Sequence, residues 1–305
     1  MSMDINLMIE AQAGVYWPEW ELLARAAEDL GFDGLYRSDH FAHGSPPKEA
    51  ALELWTSLTY LALRTERVCF GSLVSPAAFR HPAVTAWCAL QVDDLSGGRL
   101  RLGLGAGWNV EEHQRFGLPL LEIGPRFDRF EEYLQIVMRL FRERELVTFD
   151  GDHYQLDRAM LMPRPERPGG PPITVGGNGP QKTLPLAARY ADEWNAVWCT
   201  RERWTKLNAR LEGLLAAEGR ASEELRRTMM TGIFYGRTDA ELRDVLGRQG
   251  EAAEALRGRG ALVGTSGMVR DQLGELADMG LDGVMLQWLD IHDFDRLEAL
   301  AAAVV

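Results

Sequence analysis

A chain of 305 residues is long enough for two average domains or for one α/β barrel. Hydrophobic residues make up 46% and charged residues 26%, the composition of a soluble protein with a large core. The 45 acidic against 33 basic side chains give a formal net charge of −12, which argues against nucleic acid or an anionic membrane as partner, since both call for a basic surface.

The chain opens on a strand-like stretch, residues 4–9, with no basic leader before it, which reads as a cytoplasmic protein. No apolar run is long enough to span a bilayer. Residues 17–30 carry apolar side chains at helical spacing, and Gly31 stops that helix. A short strand follows at 34–38, a helix at 52–63, and a buried strand at 68–74. Pro82 opens the next helix, at a position where its missing N–H costs nothing. A strand at 100–104 precedes a long helix in which Phe127, Phe130, Leu134, Val137 and Phe141 recur at helical spacing. The rhythm then changes to a hairpin around Asp150-Gly151 and a proline-rich stretch. Strand candidates resume at 173–175, 194–198, 229–235 and 284–287. Cys69, Cys88 and Cys199 lie far apart, without zinc or disulfide spacing, and their apolar neighbours mark them as buried thiols.

The run from Asp29 to Leu35 repeats at Asp278 to Val284 as helix end, glycine stop and incoming strand. Such an echo and eight strand candidates separated by helices predict a closed (β/α)8 TIM barrel. It is read as a single domain, 1–305, with an insertion between strands four and five at about 106–171. A doubly wound open sheet fits the same pattern.

In a barrel the working face lies at the C-terminal ends of the strands. Those ends hold Glu10, Asp39-His40, Leu73-Val74, Gly105 to Asn109, Gly176 to Gly179, and Gln287. Gly176-Gly177-Asn178-Gly179 stands between a strand and a helix start, where backbone N–H groups favour a phosphate; a ligand-free tight turn fits too. Gly103-Leu104-Gly105-Ala106-Gly107 lacks the later glycine of a dinucleotide fingerprint. Its glycines fit a flat ring close to the backbone, or packing alone. Asp39-His40 is an acid–base pair or a turn. Trp108, Trp198 and Trp288 form aromatic walls or ordinary core. His43, His81, His153 and His292, and the Glu111-Glu112-His113 cluster, carry no metal-ligand spacing. Neither a nucleophile elbow nor a phosphate-binding P-loop occurs.

The runs Gly31 to Phe41, Phe79 to Val84, Asp94 to Leu100, Leu102 to Asn109 followed by Glu112, and Pro171 to Gly179 resemble the luciferase-like monooxygenase superfamily. Their style is closest to its coenzyme F420-dependent oxidoreductases. The resemblance implies a homodimeric barrel with a flavin or deazaflavin across its C-terminal face. It implies that Asp39 bonds the ring and His40 lines the substrate side. A non-proline cis peptide behind the ring is implied at Leu73–Val74 or Ser72–Leu73. Gly107 and Asn109 would approach the ring or its side chain, and Gly176, Gly177, Asn178 and Gly179 the cofactor phosphate. The expected activity is hydride transfer between F420 and a small, partly hydrophobic organic substrate, with His40 as proton carrier and Glu10 as second candidate. An FMN monooxygenase using oxygen is the alternative within enzymes, and a non-catalytic flavin- or deazaflavin-binding protein the alternative outside them. The anionic glutamate tail of F420 would need basic side chains that the sequence pattern does not locate.

Overall fold

The computed structural model describes residues 3–42 and 49–305; His43 lies outside the described residues. The strands are β1 (Asp4–Ile9), β2 (Gly34–Arg37), β3 (Cys69–Ser72), β4 (Ser75–Pro76), β5 (Leu100–Gly105), β6 (Val147–Asp150), β7 (Gln155–Ala159), β8 (Ile173–Gly176), β9 (Glu193–Val197), β10 (Arg226–Tyr235), β11 (Leu262–Gly264) and β12 (Gly283–Gln287). Eight of them close a parallel barrel in the order β1, β2, β3, β5, β8, β9, β10, β12 and back to β1. This is the (β/α)8 architecture the strand–helix rhythm predicts.

The strands read as near-continuous apolar runs because both faces are covered, by side chains within and helices without. In β1, Ile5 to Ile9 are all buried. The helix Trp17–Asp29 turns Trp20, Leu23, Ala24 and Ala27 inward, and Gly31, at φ +90°, releases the chain into β2. The helix Ile123–Arg142 buries Phe130, Tyr133, Leu134, Val137, Leu140 and Phe141 against the barrel.

The strand starts, at the N-terminal end of the barrel, are sealed by polar groups. Glu193, 1% exposed, accepts a 2.8 Å bond from the Thr228 hydroxyl. Its other oxygen lies 3.5 Å from Arg226 and 3.9 Å from Arg101. Arg226 also bonds the Asp4 carboxylate. Burial pushes the Glu193 carboxyl up, and the two arginines and Thr228 oppose that shift.

The structure departs from the sequence reading in four places. The strand expected over 68–74 stops at Ser72, turns through a cis Leu73–Val74 bond, and resumes as β4, which pairs with β5. The strand expected over 229–235 begins at Arg226, because residues 226–230 pair with β9. The short β11 adds to the edge of β10, after a charged helical region that gives no strand signal. Cys199 is buried, but Cys69 and Cys88 are only half-buried. Between β5 and β8 the chain carries the helices Val110–Arg115 and Ile123–Arg142 and the antiparallel β6–β7 hairpin. Among the described residues no helix is long and apolar enough to cross a membrane.

Candidate active site

A cavity of about 370 Å³ opens among the C-terminal strand ends. Met8, Leu73, Val74, Pro76, Val197 and Met230 make its wall largely apolar. Glu10, Ser38 and His40 bring polar groups to it, and Gly107, Gly176 and Gly177 bring bare backbone. An apolar slot with a few convergent polar groups is the usual form of a small-molecule site.

The floor near β2 is fixed by Arg37, fully buried at the strand's last residue. Its guanidinium donates to Ser38 O, Leu52 O and Ser57 Oγ, at 2.7 to 2.9 Å. These bonds hold the backbone from which Ser38, Asp39 and His40 project. Ser38 Oγ donates to Gln12 Oε1 at 2.7 Å, and Gln12 Nε2 donates to Glu10 Oε2 at 2.8 Å. Gln287 Nε2 donates to Glu10 Oε1 at 2.6 Å. Both oxygens of Glu10 are therefore already accepting hydrogen bonds at the cavity wall.

His40 is paired. Its Nδ1 lies 2.8 Å from Glu112 Oε2, and Phe41 N donates to Glu112 Oε1 at 2.6 Å. Burial works against a charged imidazole, but the hydrogen bond and charge of Glu112, then the charges of Glu10 and Asp39, outweigh it and hold His40 above its ordinary pKa. Burial alone would raise Glu112; the bond and charge of His40 and the N–H groups of Phe41 and Ala42 hold it below the usual carboxylate range. With Nδ1 committed to Glu112, Nε2 is the ring nitrogen left to meet a reactant. Trp108, 70% exposed, stands edge-on to His40 at 5.8 Å between ring centroids and forms the rim.

The residues singled out in sequence fall into three groups. His40, Glu10, Leu73, Val74, Gly107, Gly176 and Gly177 meet at the cavity. Asp39 does not line it: Ser75 Oγ donates to its Oδ2 at 2.7 Å, and Arg80, which also bonds Glu53, holds the same carboxylate. Asp39 is 1% exposed, so its place is beneath the site. Asn109 caps the helix Val110–Arg115, accepting from Glu112 N at 3.2 Å.

In the loop after β8, Asn178 Oδ1 accepts from Val197 N and its Nδ2 donates to Val197 O. Gly177 N donates to Asn195 O at 2.9 Å, and Gly179 O accepts from Leu184 N. The Gly177 N–H and the Asn178 side chain are thus bonded within the protein, whereas the N–H groups of Asn178 and Gly179 make no backbone bond among the described residues and stay open to a phosphate. The first turn of the helix Thr183–Tyr190, which has no side-chain cap, lies next in the chain.

The glycines of β5 and β8 serve the Val74 side chain. A Cβ on Gly105 would come within 2.6 Å of Val74 Cγ2, and one on Gly176 within 2.8 Å of Val74 Cγ1. These strands are bare so that residues 73–74 can lean over them into the cavity. Of the three tryptophans, only Trp108 reaches the cavity. Trp288 is buried under Arg296, and Trp198 packs near Phe234.

Sequence reasoning gave Glu112 no role. Asn109-Val110-Glu111-Glu112 has the spacing of a helix capping box, which hides a carboxylate that reaches a histidine 72 residues away. Met8, Pro76, Val197 and Met230 carry no local signal; only barrel closure brings them together.

Comparison with known proteins agrees with this architecture. An F420-dependent glucose-6-phosphate dehydrogenase from Intrasporangium calvum is 33% identical over 223 residues, 69% of this chain and 64% of that protein. An F420-dependent hydroxymycolic acid dehydrogenase from Mycobacterium tuberculosis is 32% identical over 177 residues, 57% of this chain and 47% of that protein. The chain therefore spans about half to two thirds of the length of these relatives. A solved F420-dependent secondary alcohol dehydrogenase superposes with a TM-score of 0.84 at 19% identity, over 100% of both chains, which shows the fold. The family model for luciferase-like monooxygenases matches residues 4–258, and this chain belongs to that family.

Proposed function

We propose that this chain is an F420-dependent oxidoreductase that moves a hydride between the deazaflavin and a small, partly apolar organic substrate. The observation that carries the reading is the His40–Glu112 pair, which places one free imidazole nitrogen at an apolar cavity. The F420-dependent relatives support the choice of cofactor.

The residues fit a planar ring. Leu73, Val74 and Pro76 offer an apolar wall, and Gly107 and Gly176 offer backbone without a side chain in the way. When bound, the deazaflavin supplies a carbon centre that takes or gives a hydride and does not activate oxygen. This chain's residues do the rest. The apolar wall excludes water and sets orientation. His40 Nε2 holds or accepts the proton of the substrate oxygen or nitrogen, while Nδ1–H donates to Glu112. As the imidazole becomes charged, the buried Glu112 carboxylate stabilises it. Glu10, bonded to Gln12 and Gln287 at the end of the neighbouring strand, fixes the adjoining wall and adds negative charge that favours the same imidazolium.

Several further points belong to this reading. The enzyme works in the cytoplasm and acts as a homodimer. The exposed Leu63, Val84, Trp87 and Leu95, on two neighbouring helices, support self-association there. Asp39 acts from beneath the site, through Ser75 and Arg80.

Parallel fluorescence titrations of the purified protein with F420 and FMN, without oxygen, test the cofactor. Tight F420 and weak FMN binding is the expected result. The reverse order would replace the reading with an oxygen-using FMN monooxygenase.

A further inference from the structure

A second cavity, about 420 Å³, lies beside the first. The segment that joins them is residues 76–81: Pro76 lines the active-site cavity, and Ala77 to His81 line this one. Its far wall comes from the segment between β5 and β8, through Pro119, Leu121, Arg129, His153 and Tyr154.

Arg129 is the anomaly. It is only 8% exposed, and its Nη1 makes a single 3.3 Å bond to Pro119 O. Its Nε and Nη2 are buried without a partner. Among the described residues no carboxylate lies within ion-pair distance of it. Other buried arginines have hydrogen bonds or a carboxylate: Arg37 makes four hydrogen bonds, Arg80 pairs with Asp39 and Glu53, and Arg296, whose nitrogens also lack well-formed hydrogen bonds, is ion-paired with Asp290 and Asp293. A buried cation left unpaired is costly, and such exceptions point to a missing partner.

The neighbours share the same polarity. His81 Nδ1 accepts from Ala83 N at 3.2 Å, so its Nε2 carries the proton and is a donor. His81 is also the N-cap of the helix Pro82–Leu95, whose dipole presents its positive end here. No acidic side chain lines the cavity.

We infer that this cavity is an oxyanion subsite, with Arg129 as the principal ligand and His81 as a second donor, for a carboxylate or phosphate group. The inference rests on the cofactor reading in one respect. Under that reading, the acidic tail of F420 is one source of the anion, and an anionic substituent of the substrate, or a free anion, is the other. Its position, one loop segment away from the ring cavity, lets a single ligand occupy both.

The test uses the whole protein and the variants R129Q and R129K. Affinities are measured for F420 with its glutamate tail and for the tail-less deazaflavin riboside. Thermal stability is measured with inorganic phosphate against chloride at equal ionic strength. Loss of one charge-assisted contact is expected to weaken the tailed cofactor about tenfold in R129Q. R129K should recover part of the loss, and the tail-less form should be unaffected. That result assigns the subsite to the tail. Unchanged affinity for both forms, with a phosphate-dependent rise in Tm that R129Q abolishes, assigns it to an anion from elsewhere. Equal weakening of both forms would overturn the inference, because Arg129 would then act on the ring cavity. So would no phosphate response together with an unchanged tailed affinity. Failure of both deazaflavins to bind would sink the proposed function alone, since the phosphate measurement reads the subsite without them. R129Q should melt no lower than the parent, because it removes an unpaired charge; a purely structural arginine would lower Tm.

Discussion

The two ends of the barrel are built from the same strands and handle buried charge in opposite ways. At the strand starts, Glu193, Arg226, Arg101, Asp4 and Thr228 answer one another, and no described cavity opens among them. At the strand ends, polar groups are held by protein partners yet border an open cavity. Glu10 is held by two glutamines, and His40 by Glu112, and each still faces the cavity. Arg129, one loop away, is barely held at all. Both ends leave buried polar atoms without a hydrogen bond, Glu193 Oε2 and Arg226 Nε at the strand starts and Arg129 Nε and Nη2 beyond the strand ends. The difference lies in access: the groups at the strand ends border cavities that a ligand can enter, which marks that end for binding.

The largest expected effect therefore comes from the strand ends. His40→Asn keeps a polar side chain of similar reach but removes the titrating nitrogen. We expect kcat to fall about 10²- to 10⁴-fold, the usual contribution of general acid–base catalysis. Tm and cofactor affinity should stay close to those of the parent. Single-turnover kinetics under argon, alongside thermal melts, would show it; a comparable loss of Tm would make His40 a structural residue instead.

Next in size is Gly176→Val. The added side chain meets Val74, whose methyl carbon sits 2.8 Å from where the new Cβ must go. Overpacking of this kind costs about 1–3 kcal/mol. If Val74 moves into the cavity to relieve it, the cost reads out as about five- to 150-fold weaker cofactor binding at constant Tm. If it cannot move, the same cost lowers Tm. Wild-type values of both would contradict the packing described for Val74.

Much of this comparison was legible in the sequence, but unevenly. Strand–helix alternation and the Asp29–Leu35 echo predict the barrel because both are local patterns that a parallel sheet imposes on every unit. The strand-end rule then picks out Glu10, His40, Leu73, Val74 and Gly107, which do meet. It fails to separate residues that face the cavity from those that merely lie near it. Asp39 and Asn178 are polar and well placed along the chain, yet one is buried on Arg80 and the other, half-buried, is bonded to Val197. The pairing of Glu112 with His40 depends on how a helix after β5 is set over β2. No spacing rule contains that information, nor does one report that Arg129 lacks a partner.

A smaller effect, of direction more than size, is expected for Glu112→Gln. Glutamine keeps an acceptor for His40 but turns its NH2 toward the Phe41 N–H, losing that bond, and removes the charge that outweighs burial. The pKa of His40 should move down, carrying with it the pH limb of kcat that reports this group. The stability consequence has a fixed sign. A histidine whose folded pKa is raised adds stability that is complete below its unfolded value and fades as pH rises through the folded one. The parent should therefore lose stability relative to the variant as pH climbs through that window. A pH–rate profile with an unmoved limb would mean that Glu112 does not control His40.

The smallest effect on catalysis should come from the other end of the barrel. Glu193→Gln retains an acceptor for Thr228 and leaves kcat and cofactor affinity as they are. Its mark is on stability, and again the sign is determined. Burial raises the Glu193 carboxyl despite Arg101 and Arg226, so the folded state holds that proton more tightly than the unfolded chain. The parent then loses stability as pH rises from the ordinary carboxylate range through the raised value, and is level above it. The glutamine variant lacks this loss. Urea melts at about pH 5 and about pH 8 should show a smaller drop for the variant than for the parent. A changed kcat in this variant would mean that the two ends of the barrel are coupled, and the separation between a closed network for folding and an open one for ligands would fail.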